Sequence, residues 1–204
     1  MIDHSKRTIF QPNDQLMPMI SFYDETEFKQ WYNLDREAVL AHQRVLLEHA
    51  EHFRVAAIQI VGSVPADNVM IHSLSSWSRA EFPHFARRFH GDNADPIGYR
   101  QAKHHHIQQN PYRWEHWITH DRQGGIYHAM PMPQHCSDAL ISDWIAWGKL
   151  YRGTWDIGEW LVDHMGTIVL HPDTQHQINQ RLNGIGYQDI VDALGHTWGS
   201  KVAS

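Results

Sequence analysis

Residues 38–53 read AVLAHQRVLLEHAEHF, and their periodicity decides the fold class. Val39, His42, Val45, Leu46, His49 and Phe53 recur at steps of three and four, which puts them on one face of a helix. Outward from this stretch, the residues from about Glu25 to Ile60 are mostly good helix formers without Pro or Gly, so the spacing predicts one amphipathic helix across that span. The segment VGSVPADN (61–68) stops it: Gly62 ends the turn and Pro65 opens a second helix, expected to reach about Ser75 and to carry His72 near its end. Ser78-Arg79-Ala80-Glu81 has the form of a capping box and launches a third helix to about His90. In the loop GDNADP (91–96) the acidic residues lack EF-hand spacing and read as turn chemistry.

A fourth helix is expected over Pro96–Gln109, through His104, His105 and His106, with Pro111 ending it. After the aromatic segment YRWEHW (112–117) and a turn at Gly124-Gly125, a helix from about His135 to Tyr151 sets Leu140, Asp143, Trp147 and Leu150 on one stripe, so Asp143 points inward. Shorter helices are expected near 156–164, 172–183 and 187–195, with a short strand at Thr167–Leu170. The class is all-α, a roughly antiparallel helical bundle. Residues 1–24, with Pro12, Pro18 and no clear period, read as an irregular arm on a single domain spanning 25–204.

Composition narrows the function. At 204 residues, 42% apolar and 20% charged, with 13 glycines and nine prolines, the chain is globular in type rather than collagenous or disordered. A formal net charge of −6 argues against extended nucleic acid as a partner, which needs a basic face. The lone Cys136 and an opening MIDHSKRTIF without an apolar run point to a cytoplasmic protein. Val55–Val64 is about half the ~20 residues of a membrane span, so no membrane partner is expected.

The chain carries 18 histidines and nine tryptophans. Imidazole is the commonest metal ligand and titrates nearest neutrality, so the excess points to a metal or acid–base site without locating it. Periodicity sets His42, His72 and Asp143 on apolar helix faces. Each needs a partner, because burying an ionised carboxylate or an unpaired imidazole is costly, and one shared metal ion would satisfy all three. Taken singly, each has a plainer reading: a histidine on an apolar stripe is commonly a hydrogen-bonded core residue, and Asp143 could cap a neighbouring helix or pair with Arg44. There is no Walker loop, no GxGxxG and no nucleophilic triad.

From His72 the chain reads HSLSSWSRAEFPHFARRF (72–89), and from His105 it reads HHIQQNPYRWEHW (105–117). With Asp143-Trp144 and Leu170-His171-Pro172, these blocks resemble the DUF5662 family in order and spacing, over about His42 to Leu182. That family in turn resembles the HD superfamily of metal-dependent phosphohydrolases. The resemblance implies an HD-like bundle with ligands on the first bundle helix, at a His-Asp doublet and at a distal Asp; by position these are His42, His72 and Asp143. Ser73 stands where the doublet Asp is expected, so the implied site is mononuclear. Ser76 stands where a Lys is usual.

Two histidines and a carboxylate suit one divalent transition metal ion (Fe, Mn, Co or Zn) and leave positions open for water or substrate. Successive helical side chains fan apart by about 100°, so His105 and His106 are expected near the ion as added nitrogen ligands, with His104 in solvent. Glu81, Glu115 and His116 are the candidates for proton transfer, although Glu81 also completes the capping box. Lys149 and Arg152 could hold an anionic group, at a helix C-terminus where cations also favour the dipole. Trp114, Trp117, Trp144, Trp147 and Trp155 read as core and pocket wall. The expected activity is hydrolysis of a small anionic substrate, a phosphate ester or nucleotide, in the cytoplasm (a host's, if phage-encoded). The alternatives are an HD-type non-haem iron oxygenase and a non-catalytic binding or virion-associated module with a degenerate metal site.

Overall fold

The helix read as continuous from residue 25 to residue 60 is divided at Asn33. Asn33 has φ 50°, in the left-handed region that Asn tolerates better than most residues, and the Asp35 carboxylate accepts the Ala38 N–H at 2.8 Å as an N-cap. The result is α1 (Glu25–Tyr32) and α2 (Arg36–Val55), the latter running on as a π-helical segment, Ala56–Val61. Gly62 closes it at φ 74°, as expected of a glycine in that role. The structure is a computed structural model, and it describes residues 25–92, 94–120 and 127–199; the arm read over residues 1–24 and the Gly124-Gly125 turn lie outside the described residues.

Pro65 precedes α3 (Ala66–Ile71), which is shorter than the reading to Ser75. The chain leaves the helix at His72, with ψ 127°, and Ser73 adopts φ 57° with its hydroxyl 2.9 Å from the Tyr112 hydroxyl. A serine whose side chain finds a bond in a non-helical geometry competes with the helix in this way. A 3-10 turn, Leu74–Trp77, leads to α4 (Phe82–His90), and α5 follows over Pro96–Gln109, capped by the Asp95 carboxylate on the Gly98 N–H at 2.8 Å. Strands β1 (Ile118–His120) and β2 (Tyr127–Ala129) pair antiparallel with Ile118 opposite Ala129, on either side of the expected glycine turn. Then come α6 (Gln134–Arg152), α7 (Gly158–His164), α8 (Pro172–Gly184) and α9 (Gln188–Leu194). The strand expected at Thr167–Leu170 is not formed: Met165–Thr167 is a 3-10 turn. Among the described residues the two-stranded hairpin is the only sheet, and the protein is all-α.

Helix α6 is central. Every residue from Cys136 to Ala146 is buried, more than the single stripe read from sequence, because α6 packs against α2, against the π segment and against α8. A helix covered on all sides is apolar or small on all sides, and Ala139, Ser142, Ala146 and Gly148 let its neighbours approach. Leu140, Ile141 and Ile145 join Leu161, Met165, Ile178 and Leu182 in the largest apolar cluster; truncating such a leucine to alanine costs about 2–5 kcal/mol. The other side of α2 meets α4, where Val39 and Leu46 cluster with Phe28, Trp77, Phe82 and Ala86. Near the crossing of α2 and α6, Phe53, Ala57, Tyr112, Ala139 and Ala146 form a third cluster, and this one floors the candidate site. No helix among the described residues is long and apolar enough to cross a membrane.

Candidate metal centre

Helix α2 brings His49, the end of α3 brings His72, and the middle of α6 brings Asp143. The left-handed Ser73, bonded to Tyr112, turns the chain just after His72. Asp143 Oδ1 lies 3.2 Å from His49 Nε2 and 3.1 Å from His72 Nε2, and one donor atom from each of the three residues lies within 4.8 Å of the others. The distances are those of contact, yet neither Nε2 has a hydrogen-bond partner, nor has Asp143 Oδ2. Such orphaned polar atoms are rare in protein interiors and costly. Aromatic rings exclude water around them. His72 lies flat on Phe53, with ring centroids 3.4 Å apart, and His49 stacks on Trp147 at 3.9 Å.

The charge states suit metal binding. Burial pushes the His72 imidazolium down to about 4, against the opposing pull of Asp143, so at neutral pH the ring is neutral and keeps a lone pair. Burial alone would raise Asp143, but the contacts with His49 and His72 outweigh it and hold its carboxyl well below the usual range. A neutral imidazole and an ionised carboxylate are the forms that ligate. Two nitrogens and one carboxylate oxygen converging in a dry interior fit a divalent transition metal ion.

His42 does not join this group. It sits seven residues before His49 on the same stripe of α2, about 10 Å along the axis at 1.5 Å per residue, where α2 faces α4 instead of α6. Its ring lies 5.0 Å from Phe82 and 5.5 Å from His90, and burial, aided by His90, lowers its pKa to about 3. His49 takes the place expected of His42. The sequence put both on one face and held no signal for where α6 crosses it.

His105 and His106 belong to a different cluster. Their Nδ1 atoms lie 2.7 Å and 2.8 Å from the two carboxylate oxygens of Glu81, which is fully buried. Burial would raise Glu81, but the bonds from His106 and His105 outweigh it and lower its pKa. The expected capping box is therefore absent: α4 has no side-chain cap, and the Ser78 hydroxyl is buried without a partner. Asn110 Nδ2 donates to Ser75 Oγ at 2.8 Å and to the His106 carbonyl at 2.6 Å, tying this cluster to the turn that follows His72. His104 is exposed.

Asp143 does not pair with Arg44, whose guanidinium turns back to the Leu40 carbonyl. The cation near it is Arg113, missed in the sequence reading: Nη1 lies 3.7 Å from Asp143 Oδ2, and Nη2 donates to Glu115 Oε1 at 3.0 Å. Glu115 thus reaches the site through Arg113. His116 is exposed and donates from Nδ1 to the Ile107 carbonyl. Lys149 donates to the Gly153 carbonyl at 2.9 Å, capping α6. Arg152 pairs with Glu159 at 3.2 Å and, with Arg113, Asp143 and Trp147, lines a cavity of about 380 Å³.

The chain matches the family of unknown function DUF5662 over residues 37–184, and it belongs to that family. No curated protein and no solved structure matches it significantly.

Proposed function

We propose that the protein binds one divalent transition metal ion through His49, His72 and Asp143 and with it hydrolyses a phosphate ester. The observation that carries this reading is the convergence of three side chains able to ligate: His49 Nε2 and His72 Nε2, both against Asp143 Oδ1, have no hydrogen-bond partner, and neither has the second carboxylate oxygen, Oδ2. The order of the three residues also supports it, since a helical His, a His at a turn and a distal Asp is the order that the HD resemblance implies, with His49 as the first. An ion held there would lower the pKa of a bound water and polarise a phosphoryl oxygen. Phe53, Tyr112 and Trp147 keep the imidazoles dry. Arg113, anchored by Glu115, holds a positive charge beside Asp143, where the oxygens of a phosphate would need one.

The test is calorimetry with Mn(II), Fe(II) and Zn(II) under oxygen-free conditions, with release of nitrophenolate from a nitrophenyl phosphate as the activity. One bound ion per chain is expected, lost in His49→Ala and in His72→Ala and kept in His42→Ala. Metal binding indifferent to His49 and His72 would overturn the reading. A second reading, a non-haem iron oxygenase, is favoured by the same two-histidine, one-carboxylate set; oxygen consumption by the Fe(II)-loaded protein without phosphate release would select it. A chain that binds no metal would be a binding module, as Ser73 in place of the doublet Asp suggests.

A further inference from the structure

We infer that the cavity beside Asp143 is a slot for the flat aromatic half of a phosphate ester, with Arg113 as the anchor of its charge. The inference names the substrate class of the proposed hydrolytic site and rests on that reading.

Four indoles, Trp114, Trp144, Trp147 and Trp160, share the cavity wall with Asp143 and Arg113. Three of the rings are already braced by stacked neighbours, of which Tyr151 and His164 also line the cavity. Trp147 stacks on His49 at 3.9 Å and on Tyr151 at 5.2 Å, Trp160 on His164 at 4.6 Å, and Trp144 on Trp198 at 6.2 Å. A guest therefore meets a preformed wall and leaves little side-chain freedom to be lost on binding. Aromatic walls favour an aromatic guest, stacked or edge-on, over an aliphatic one of the same charge. A cavity of about 380 Å³ lies near the lower end of small-molecule sites and matches one ring system with a phosphate.

The charges call for an anion. Asp143 and Glu115 outweigh the single charge of Arg113 by one, and a divalent ion on Asp143 turns this local balance from −1 to +1, so it is the loaded site that attracts an anion. Arg113 has donors to spare: its Nε is buried without a hydrogen-bond partner, and its Nη1, at 3.7 Å from Asp143 Oδ2, is beyond hydrogen-bond reach. Because Asp143 is both cavity wall and candidate ligand, the anionic end of a guest seated among the indoles meets the metal group directly.

The experiment is calorimetry on the full chain, metal-free and Mn(II)-loaded, with phenyl phosphate, adenosine monophosphate and glycerol phosphate as probes. The aromatic phosphates should bind about tenfold more tightly than glycerol phosphate. Trp160→Leu and Trp114→Leu, two walls that do not touch His49 and either of which suffices, should bring that ratio towards one while leaving glycerol phosphate unchanged. Arg113→Gln should weaken all three probes together. Preference for adenosine monophosphate over phenyl phosphate would identify the ring as a nucleobase, and the reverse a single aryl ring; both uphold the slot. Equal affinity for phenyl and glycerol phosphate overturns it. If Mn(II) binds and the aromatic preference is missing, the slot fails and the metal centre stands; if the preference is present in a chain that binds no metal, the centre fails and the slot stands.

Discussion

Two clusters in this protein contain the same residue types, two histidines and one carboxylate, and they are built to opposite ends. At Glu81 each carboxylate oxygen has its own imidazole, at 2.7 Å and 2.8 Å, and the histidines reach solvent, with side chains 36% and 18% exposed. At Asp143 both imidazoles crowd one oxygen without a hydrogen bond, and the side chains are 2% exposed. The first arrangement is a closed clamp whose hydrogen bonds are made; the second keeps its lone pairs open and its surroundings dry. Composition and spacing do not separate a clamp from a ligand set. The direction of the atoms does.

The contrast is broken most sharply at Asp143. Asp143→Asn keeps the shape and removes the ionised oxygen, and Mn(II) affinity measured by calorimetry should fall by about 100-fold or more; a smaller loss would make the Asp143 cluster another clamp.

His42 is the control, a buried histidine of α2 in neither cluster. Its folded pKa of about 3 lies below the ordinary 6.5, so the unfolded chain takes up the proton first as pH falls. Its contribution is complete above pH 6.5 and is lost as pH drops towards 3, at about 1.4 kcal/mol per unit. His42→Leu should therefore keep about 3 kcal/mol of the stability that the native chain loses between pH 6.5 and pH 4, read by denaturant unfolding at each pH, with metal affinity unchanged.

Glu81→Gln should destabilise the fold by about 1–3 kcal/mol in urea, because two histidines lose their charged partner, while Mn(II) affinity moves by less than about tenfold. The folded pKa of Glu81 is lowered from 4.5, so its contribution is present above that pH and lost as pH falls below it; the variant should show a flatter acid limb there. The smallest effect is expected at Ser73. Asp tolerates its left-handed backbone, and Ser73→Asp adds an oxygen ligand next to His72, so Mn(II) binding in the same calorimetric assay should tighten a few-fold. No change would mean that position 73 serves Tyr112 alone.

Much of the helical frame was legible in residues 25–199. The sequence shows both ends of Pro96–Gln109, Gly62 and Pro65 mark the break they make, and the stripe that holds Asp143 points inward. The break at Asn33 had a signal, an Asn in a turn followed by Asp35 as an N-cap, but uninterrupted helix formers on both sides masked it. At Glu81 the Ser-x-x-Glu pattern describes a local bond, whereas the partners it takes lie 24 and 25 residues on. Arg113 had no sequence signal, since its closeness to Asp143 comes from the packing of the segment after α5 against α6.

The sequence by itself determined the all-α class, most helix boundaries, and the presence of histidines and a carboxylate on buried faces. These follow from local rules: the 3.6-residue period, the fixed φ of proline and the freedom of glycine. Only the tertiary structure decided that His49, and not His42, meets Asp143, and that His105 and His106 answer to Glu81. Periodicity names the face a side chain shares, but two residues two turns apart on that face are equivalent until a second helix crosses at one of them. Here α4 covers His42 and α6 crosses at His49, so long-range packing chose the ligand.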